Sequence, residues 1–351
     1  MKIWHLNLTG SSPRVDGIAT AVQRVAEAQT RAGAEAAVFC PALDHRSPAR
    51  ALADVHHGLR DPGQRPDVVH FHSLFRPFHS GVATLLRKHR VPYVVSPHSA
   101  AAPSGLARRG GLKRAYMVAV ERRFLARAAG VLCLTEVERS DVARFAPGFD
   151  GPAIVVPNPV PDPDGLSWDP APPAARPRVV TLSRFDVRQK GLDRLVAIAI
   201  LNPDVDFAVY GEPDKNEPDL VERLRRAAPC NLHLCPPVFG AAKDRVLRRA
   251  TLFILPSRWE GLSMSLAEAL AAGVPCAVSA EVADTLPFAD EDLGLVLDDD
   301  AAAAGRQLAE ALADRDGLDE WSRAGAAFAA RNFDAASVAF RTLDGYEAAI
   351  G

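Results

Sequence analysis

The chain has neither a disulfide framework nor a zinc framework. Its five cysteines, Cys40, Cys133, Cys230, Cys235 and Cys276, are odd in number and form no C-x-x-C pair, which points to a reducing compartment. Long apolar runs are also missing. Residues 195–201 form one of the longest, at seven residues, well short of the roughly 18 that a membrane span needs. No charge sign dominates either: 41 Lys and Arg stand against 43 Asp and Glu, a net of −2. That excludes a bulk polycation and, with it, a nucleic-acid partner as the default expectation. The opening residues Met1-Lys2-Ile3-Trp4-His5-Leu6 enter a strand-like run without a signal-peptide pattern, so a cytoplasmic protein is expected. Lysine itself is scarce, at six residues (Lys2, Lys88, Lys113, Lys190, Lys215 and Lys243). Abundant Arg, Ala and Pro fit GC-rich coding, so a retained lysine carries some weight as a functional residue.

What is present is enough for two domains. The chain has 351 residues, 48% of them hydrophobic, and about 150 residues per domain gives two cores. Short Val, Ile, Leu and Phe runs alternate with helix-period stretches. Strands are expected at 2–8, 36–40, 67–72, 92–96, 130–134 and 153–156, with a first helix at 18–33 opened by Asp16-Gly17. Residues 157–177 then hold eight of the 28 prolines, which excludes a helix or central strand and marks a linker. Strands resume at 178–183, 205–210, 231–235, 251–255, 275–279 and 293–297. This alternation predicts an α/β protein of two Rossmann-like domains, each with a parallel sheet. Ligands of such sheets sit at the carboxyl ends of the strands, so the facing strand ends are expected to form a central cleft.

The most informative segment is Pro256-Ser257-Arg258-Trp259-Glu260-Gly261-Leu262-Ser263-Met264-Ser265-Leu266-Ala267-Glu268. It follows a strand and enters a helix expected at 265–272. Gly261, Leu262 and Ser263 offer backbone N–H groups at the helix start, where an anion is favoured. Glu260 lies in the loop, within reach of a polar ligand. Glu268 lies in the helix, where a carboxylate can accept two hydrogen bonds from a vicinal diol. Arg184 follows one strand end and Lys190 precedes a helix start at Gly191, two cations placed for a diphosphate. His98 follows the strand ending at Ser96-Pro97. Gly211, after Tyr210, would let backbone approach a nucleotide. Phe239, before a helix, either sits near a base or packs into the core.

In this order, the segments resemble the retaining glycosyltransferases of family 4, which have the GT-B fold. The resemblance rests on the Glu-x7-Glu pair Glu260 and Glu268 with Ala269-Leu270-Ala271-Ala272-Gly273-Val274-Pro275. It extends to Leu182-Ser183-Arg184 with Lys190-Gly191, and to the hinge-like Val155-Val156-Pro157-Asn158-Pro159-Val160. In the first half, Val94-Val95-Ser96-Pro97-His98-Ser99, Glu121-Arg122-Arg123 and Cys133-Leu134-Thr135-Glu136 are similar to a bacterial subgroup. The resemblance implies a hexosyltransferase using a nucleoside-diphosphate sugar, either a UDP- or a GDP-hexose. The acceptor would be a hydroxyl of a glycan, a lipid-linked glycan or a natural product. Residues 1–160 would bind the acceptor and 161–334 the donor, with a final helix at 335–351 packing back on the first domain. Arg184 and Lys190 would hold the diphosphate and, with the helix start at Gly261, replace a metal, so no cofactor is expected. His98 would lie near the donor sugar and the acceptor, Glu260 on the transferred sugar, and Glu268 on the ribose. Asp16-Gly17 stands where the family has a glycine-rich loop that approaches the phosphates and the acceptor, here with one glycine instead of two, so the resemblance implies substrate contact at Asp16 and Gly17.

Three other features compete. His70-Phe71-His72, with His79 and His98, could suggest a metal-dependent hydrolase, but no carboxylate set accompanies them. Asp298-Asp299-Asp300 mimics a metal-binding D-x-D and reads better as a strand-end turn or helix cap. The basic stretch 108–127 (Arg108, Arg109, Lys113, Arg114, Arg122, Arg123 and Arg127) reads as an amphipathic helix with a solvated face, the alternative being peripheral contact with anionic lipid. A nucleotide-sugar epimerase and a catalytically silent nucleotide-sugar-binding protein are the rival functions. The first lacks an identifiable acid/base set. The second fits poorly with Arg184, Lys190, Glu260 and Glu268 all in place.

Overall fold

The computed structural model describes residues 1–7, 17–39, 48–103, 111–160, 168–169, 176–213 and 218–351. The chain divides into two units, Met1–Val160 with Phe333–Gly351, and Pro161–Asn332. Asp16, Cys40, Arg108 and Arg109 lie outside the described residues.

Unit 1 contains β1 (Lys2–Asn7), β2 (Glu35–Phe39), β3 (Val68–His72), β4 (Tyr93–Ser96), β5 (Gly130–Cys133) and β6 (Ala153–Val155). They form one parallel sheet in the order β2-β1-β3-β4-β5-β6. Its helices are α1 (Gly17–Arg31), α2 (Pro48–Arg60), α3 (Pro77–Lys88), α4 (Gly111–Leu125) and α5 (Glu136–Phe145). Strand β3 is buried along its whole length, as expected of a parallel strand covered on both faces. One face is apolar, with Trp4, Leu6, Val69, Phe71 and Val95 in a single core. The other alternates Ile3, His5 and Asn7 with Val68, His70 and His72, because register pairs His5 with His70 and Asn7 with His72.

Unit 2 contains β7 (Arg178–Leu182), β8 (Asp206–Tyr210), β9 (Leu232–Cys235), β10 (Leu252–Leu255), β11 (Cys276–Ser279) and β12 (Gly294–Leu297). The order is β12-β11-β10-β7-β8-β9, again parallel. The chain winds outward from β7 through β8 to β9, then returns to β10 on the other side of β7. That reversal makes the carboxyl ends of β7 and β10 the ligand-binding position of a doubly wound sheet. The helices are α6 (Leu192–Leu201), α7 (Pro218–Ala227), α8 (Ala241–Arg248), α9 (Met264–Ala271), α10 (Ala280–Ala283), α11 (Ala301–Ala313) and α12 (Arg315–Asn332). All twelve expected strands are found, each within one residue of its expected ends where those are described.

The chain returns to unit 1 through α13 (Ala335–Ile350). Val160 N–H donates to the Phe333 carbonyl at 3.1 Å, tying the outgoing and returning segments together. Arg341 donates to the Val155 carbonyl at 2.9 Å, and Tyr346 is completely buried. Among the described residues no helix is long and apolar enough to cross a membrane.

The competing features resolve locally. Asp300 caps α11, accepting Ala303 N–H at 2.8 Å, and Asp298 accepts Asp300 N–H at 2.8 Å. Asp299 pairs with Arg194 at 3.2 Å, so the acidic triplet is a strand-end turn and helix cap. In α4 the described part has Phe124 and Glu121 buried, so Glu121 is not on a solvated basic face. The Arg122 guanidinium lies 5.7 Å from the Phe145 ring centre, a cation–π distance.

Candidate functional site

In unit 2 the site grows from the ends of β7 and β10. After β7 the chain continues its pairing with β8 through Ser183 N–H to the Tyr210 carbonyl at 3.0 Å and Phe185 N–H to the Glu212 carbonyl at 2.8 Å. A Cβ on Gly211 would lie 1.8 Å from the Ser183 carbonyl oxygen. Gly211 is therefore required by backbone packing beside Arg184, a reason independent of any nucleotide. Arg184 is exposed and, among the described residues, has no hydrogen-bond or ion-pair partner.

Asp186 then builds a turn: its carboxylate accepts Gln189 N–H at 2.9 Å, and its carbonyl accepts Lys190 N–H at 2.9 Å. Gly191 caps α6 in the left-handed region with φ 61°. A Cβ there would meet the Pro256 carbonyl oxygen at 2.0 Å, so only glycine lets this turn lie against the end of β10. The contact brings Lys190 Nζ to Glu260 Oε1 at 2.6 Å, and Ser257 Oγ donates to the same oxygen at 2.7 Å. Both charged side chains are largely buried, 14% and 8% exposed. Lys190 spends one of its three donors here, and Glu260 Oε2 has no partner among the described residues.

Ser263 is the N-cap of α9, its Oγ accepting from Leu266 N–H. Among the described residues the N–H groups of Gly261, Leu262 and Ser263 have no acceptor, which leaves donors at a positive helix end. One turn along α9, Glu268 pairs with Lys243 of α8 at 2.8 Å, the two 12% and 18% exposed. Sequence alone assigns Lys243 no role. Its signal was the scarcity of lysine, since two of six lysines hold the two glutamates of the Glu-x7-Glu pair. Phe239, just before α8, is 46% exposed. Core packing, one of its two expected placements, is thereby excluded.

In unit 1, Gly17 opens α1. His98 follows β4 in a left-handed turn with φ 50°, and Ser99 has φ 63°. Glu138 holds this turn, which costs a non-glycine residue strain. Its carboxylate accepts Ser99 N–H at 2.5 Å and Leu134 N–H at 2.6 Å, while its own N–H donates to Thr135 Oγ1 at 3.1 Å. Burial pushes the Glu138 carboxyl up to about 7 in spite of those two donors. In sequence Glu138 is marked only by the capping-box pattern Thr135-Glu136-Val137-Glu138.

Five histidines gather here or nearby, each kept neutral by burial. His5 and His98 are lowered to about 4 and His79 to about 3. His70 and His72 fall well below the usual value, with neighbouring histidines adding to the effect of burial. His5, His70 and His72 have nitrogens within 4.8 Å of one another, the geometry of a metal cluster. The donor set does not fit one, because all six ring nitrogens already have hydrogen-bond partners. His5 meets Gln29 at 2.8 Å and His72 at 3.0 Å, His72 meets His98 at 3.0 Å, and His70 meets Tyr346 and Ser96, each at 2.8 Å.

A glycosyl transferase 4-like domain model matches residues 44–159, and a glycosyl transferases group 1 model matches residues 176–314. The chain is a family 4 glycosyltransferase. Among its relatives is an alpha-maltose-1-phosphate synthase of Mycolicibacterium smegmatis, 29% identical over 354 residues, covering 90% of this chain and 88% of that one. The glycosyltransferase has the GT-B fold. It superposes on sucrose-phosphate synthase from Thermosynechococcus elongatus with a TM-score of 0.78 at 17% identity, covering 99% of this chain and 98% of that one. It also matches Anabaena HepE, solved in complex with UDP and glucose, with a TM-score of 0.74 at 16% identity over 99% of both chains.

Proposed function

We propose that this glycosyltransferase moves a hexosyl unit, with retention and without a metal, from a UDP- or GDP-hexose to an acceptor hydroxyl. The observation that carries the reading is the cluster at the carboxyl ends of β7 and β10. Exposed Arg184, the Lys190–Glu260 pair and the open N–H groups of Gly261, Leu262 and Ser263 all follow these two neighbouring central strands, at the carboxyl edge of the sheet. Such an edge suits a diphosphate, and the fixed positive groups stabilise the charge that develops as it leaves. The UDP and glucose named for HepE support a nucleotide-sugar donor. In the reaction the bond from the sugar anomeric carbon to phosphate breaks and the acceptor oxygen bonds to that carbon on the same face. The acceptor proton passes to the leaving phosphate oxygen. Glu260 orients the transferred sugar, Glu268 the ribose, and His98 in unit 1 meets the sugar. Unit 1 takes the acceptor, a glycan, lipid-linked glycan or natural product. Relatives named as maltose-1-phosphate and sucrose-phosphate synthases add sugar phosphates to the acceptors to be tried.

The test is transfer from UDP- and GDP-hexoses to such a panel, read by mass spectrometry, with the anomeric configuration of the product assigned by NMR. Activity should survive EDTA within about twofold, because fixed cations already serve the leaving group. Abolition by chelator with rescue by Mg2+ or Mn2+ would refute metal independence, and an epimerised donor without a glycoside would return the epimerase reading.

The two glutamates should fail differently. Glu268→Gln should weaken both free nucleoside diphosphate and nucleotide sugar by about 1–3 kcal/mol, the cost of a charged hydrogen bond left imperfect. Glu260→Gln should leave free nucleotide binding nearly intact while reducing turnover and blurring sugar choice. Calorimetry with the nucleoside diphosphate alone separates them, and equal losses would refute this division.

A further inference from the structure

One face of the unit 1 sheet carries a line of polar side chains that the phosphate chemistry does not use. It starts at a backbone carbonyl and ends at His98. Ser96 Oγ donates to the Leu132 carbonyl at 2.9 Å, and His70 Nε2 meets Ser96 Oγ at 2.8 Å. His70 Nδ1 meets the Tyr346 hydroxyl at 2.8 Å, which lies 3.2 Å from Gln29 Nε2. Gln29 Oε1 meets His5 Nε2 at 2.8 Å. His5 Nδ1 meets His72 Nε2 at 3.0 Å, and His72 Nδ1 meets His98 Nε2 at 3.0 Å.

The line can be ordered in one direction only. A carbonyl oxygen accepts and never donates. The Ser96 hydroxyl spends its only proton on Leu132, so its oxygen accepts from His70 Nε2–H. A neutral imidazole has one N–H, and His70 is kept neutral by burial. His70 Nδ1 therefore accepts, and the Tyr346 hydroxyl donates to it. The Tyr346 oxygen then accepts from the Gln29 amide NH2, which turns Gln29 Oε1 towards His5. From there His5 donates through Nε2, His72 donates through Nε2 to His5 Nδ1, and His98 donates through Nε2 to His72 Nδ1. His98 Nδ1 is left with a bare lone pair, enclosed and without a partner among the described residues.

We propose that Tyr346, Gln29, His5 and His72 are positioning residues that lock His98 in its Nε2–H tautomer, so that position 98 offers its ligand only an acceptor, at Nδ1. On the reading that His98 meets the sugar, the group it recognises is a sugar hydroxyl acting as donor. A fluorine in place of that hydroxyl keeps an acceptor and loses the donor, so a fluoro analogue should be rejected as strongly as the deoxy one. The lock reaches His98 from the last helix of the chain, across three elements of unit 1.

The experiment uses the full chain labelled with 15N-histidine, without ligand, above neutral pH. Long-range 1H–15N correlation spectra distinguish a protonated ring nitrogen from a bare one. The wild-type protein should show His98 and His72 as single Nε2–H tautomers. In Gln29→Leu the acceptor that orders His5 is gone, and His98, two rings away, should become a tautomer mixture. Gln29→Glu restores an acceptor to His5 Nε2–H and should restore the single tautomer, which a packing effect alone would not do. Turnover should follow, with kcat/KM about 5–10-fold lower in Gln29→Leu and recovered in Gln29→Glu, the scale of one neutral hydrogen bond. A wild-type His98 that carries its proton on Nδ1 overturns the proposal, whether or not any variant folds. So does a folded Gln29→Leu protein whose His98 keeps one tautomer. A lock that behaves as described while kcat/KM stays unchanged supports the lock and removes the sugar from His98.

Discussion

Lowering the pH from 7 to 5 should unfold unit 1. His5, His70, His72, His79 and His98 all have values held below 6.5 in the folded protein, chiefly by burial. The unfolded chain binds protons at these sites from about pH 6.5 downwards, whereas folded His5 and His98 do not until about pH 4 and His79 until about pH 3. His70 and His72 are shifted in the same direction. More protons bound in the unfolded state means that stability falls as pH falls. His5, His79 and His98 each give up about 2 kcal/mol between pH 7 and pH 5, at 1.36 kcal/mol per pH unit of full difference, and His70 and His72 add to the loss with the same sign. Glu138 works the other way. Its carboxyl, raised to about 7, takes up a proton in the folded state first and so offsets about one of the five histidines. The net loss rivals the roughly 5–15 kcal/mol that holds a domain together. Thermal melts followed by circular dichroism between pH 7.5 and 5 should show a steep fall in Tm. His79→Phe, which lies outside the hydrogen-bonded line, should make the fall shallower by one proton. A Tm that stays level across this range would mean that the histidines are not held neutral.

Arg184→Ala and Lys190→Ala should each cost about 100- to 1000-fold in kcat/KM, equivalent to 2.7–4 kcal/mol of lost stabilisation of a developing anion. Their effects on stability should differ. Arg184 is exposed and unpartnered among the described residues, so its removal should leave Tm unchanged. Lys190 neutralises Glu260, which is only 8% exposed. Its removal strands a carboxylate beside Ser257 alone and should also lower Tm, by up to about 3–5 kcal/mol of stability. The double variant Lys190→Ala, Glu260→Gln should recover much of the Tm and none of the activity. Near-full activity in both single variants would overturn the assignment of a phosphate site.

The glutamate segment, the strand–Arg–turn–Lys-Gly segment and the strand ends were readable because each depends on near neighbours in the chain. A strand buried on both faces is a run of apolar residues, a helix start shows as Ser263 before Met264, and a turn shows as Gly191. The pairing of Lys243 with Glu268 was not readable, since 25 residues separate them and only the packing of α8 beside α9 brings them together. Glu138 was readable from its capping pattern as a helix residue, but its hold on the His98 turn depends on β4 and β5 lying side by side.

The sequence by itself determined the alternation of elements and the two-sheet α/β fold, because hydrophobic period and turn chemistry are local properties, and it nominated the proline-marked boundary near residue 160 and the residues proposed for a diphosphate. Only the tertiary structure decided what those residues do to one another. Parallel register set His5 beside His70, and the returning helix placed Tyr346 against His70 and Gln29. The missing side chain of Gly191 let Pro256 close on the turn that presents Lys190 to Glu260. The reason is that a buried hydrogen bond or ion pair is strong only over a few ångströms, and such distances between remote residues are set by how the elements stack rather than by their order along the chain.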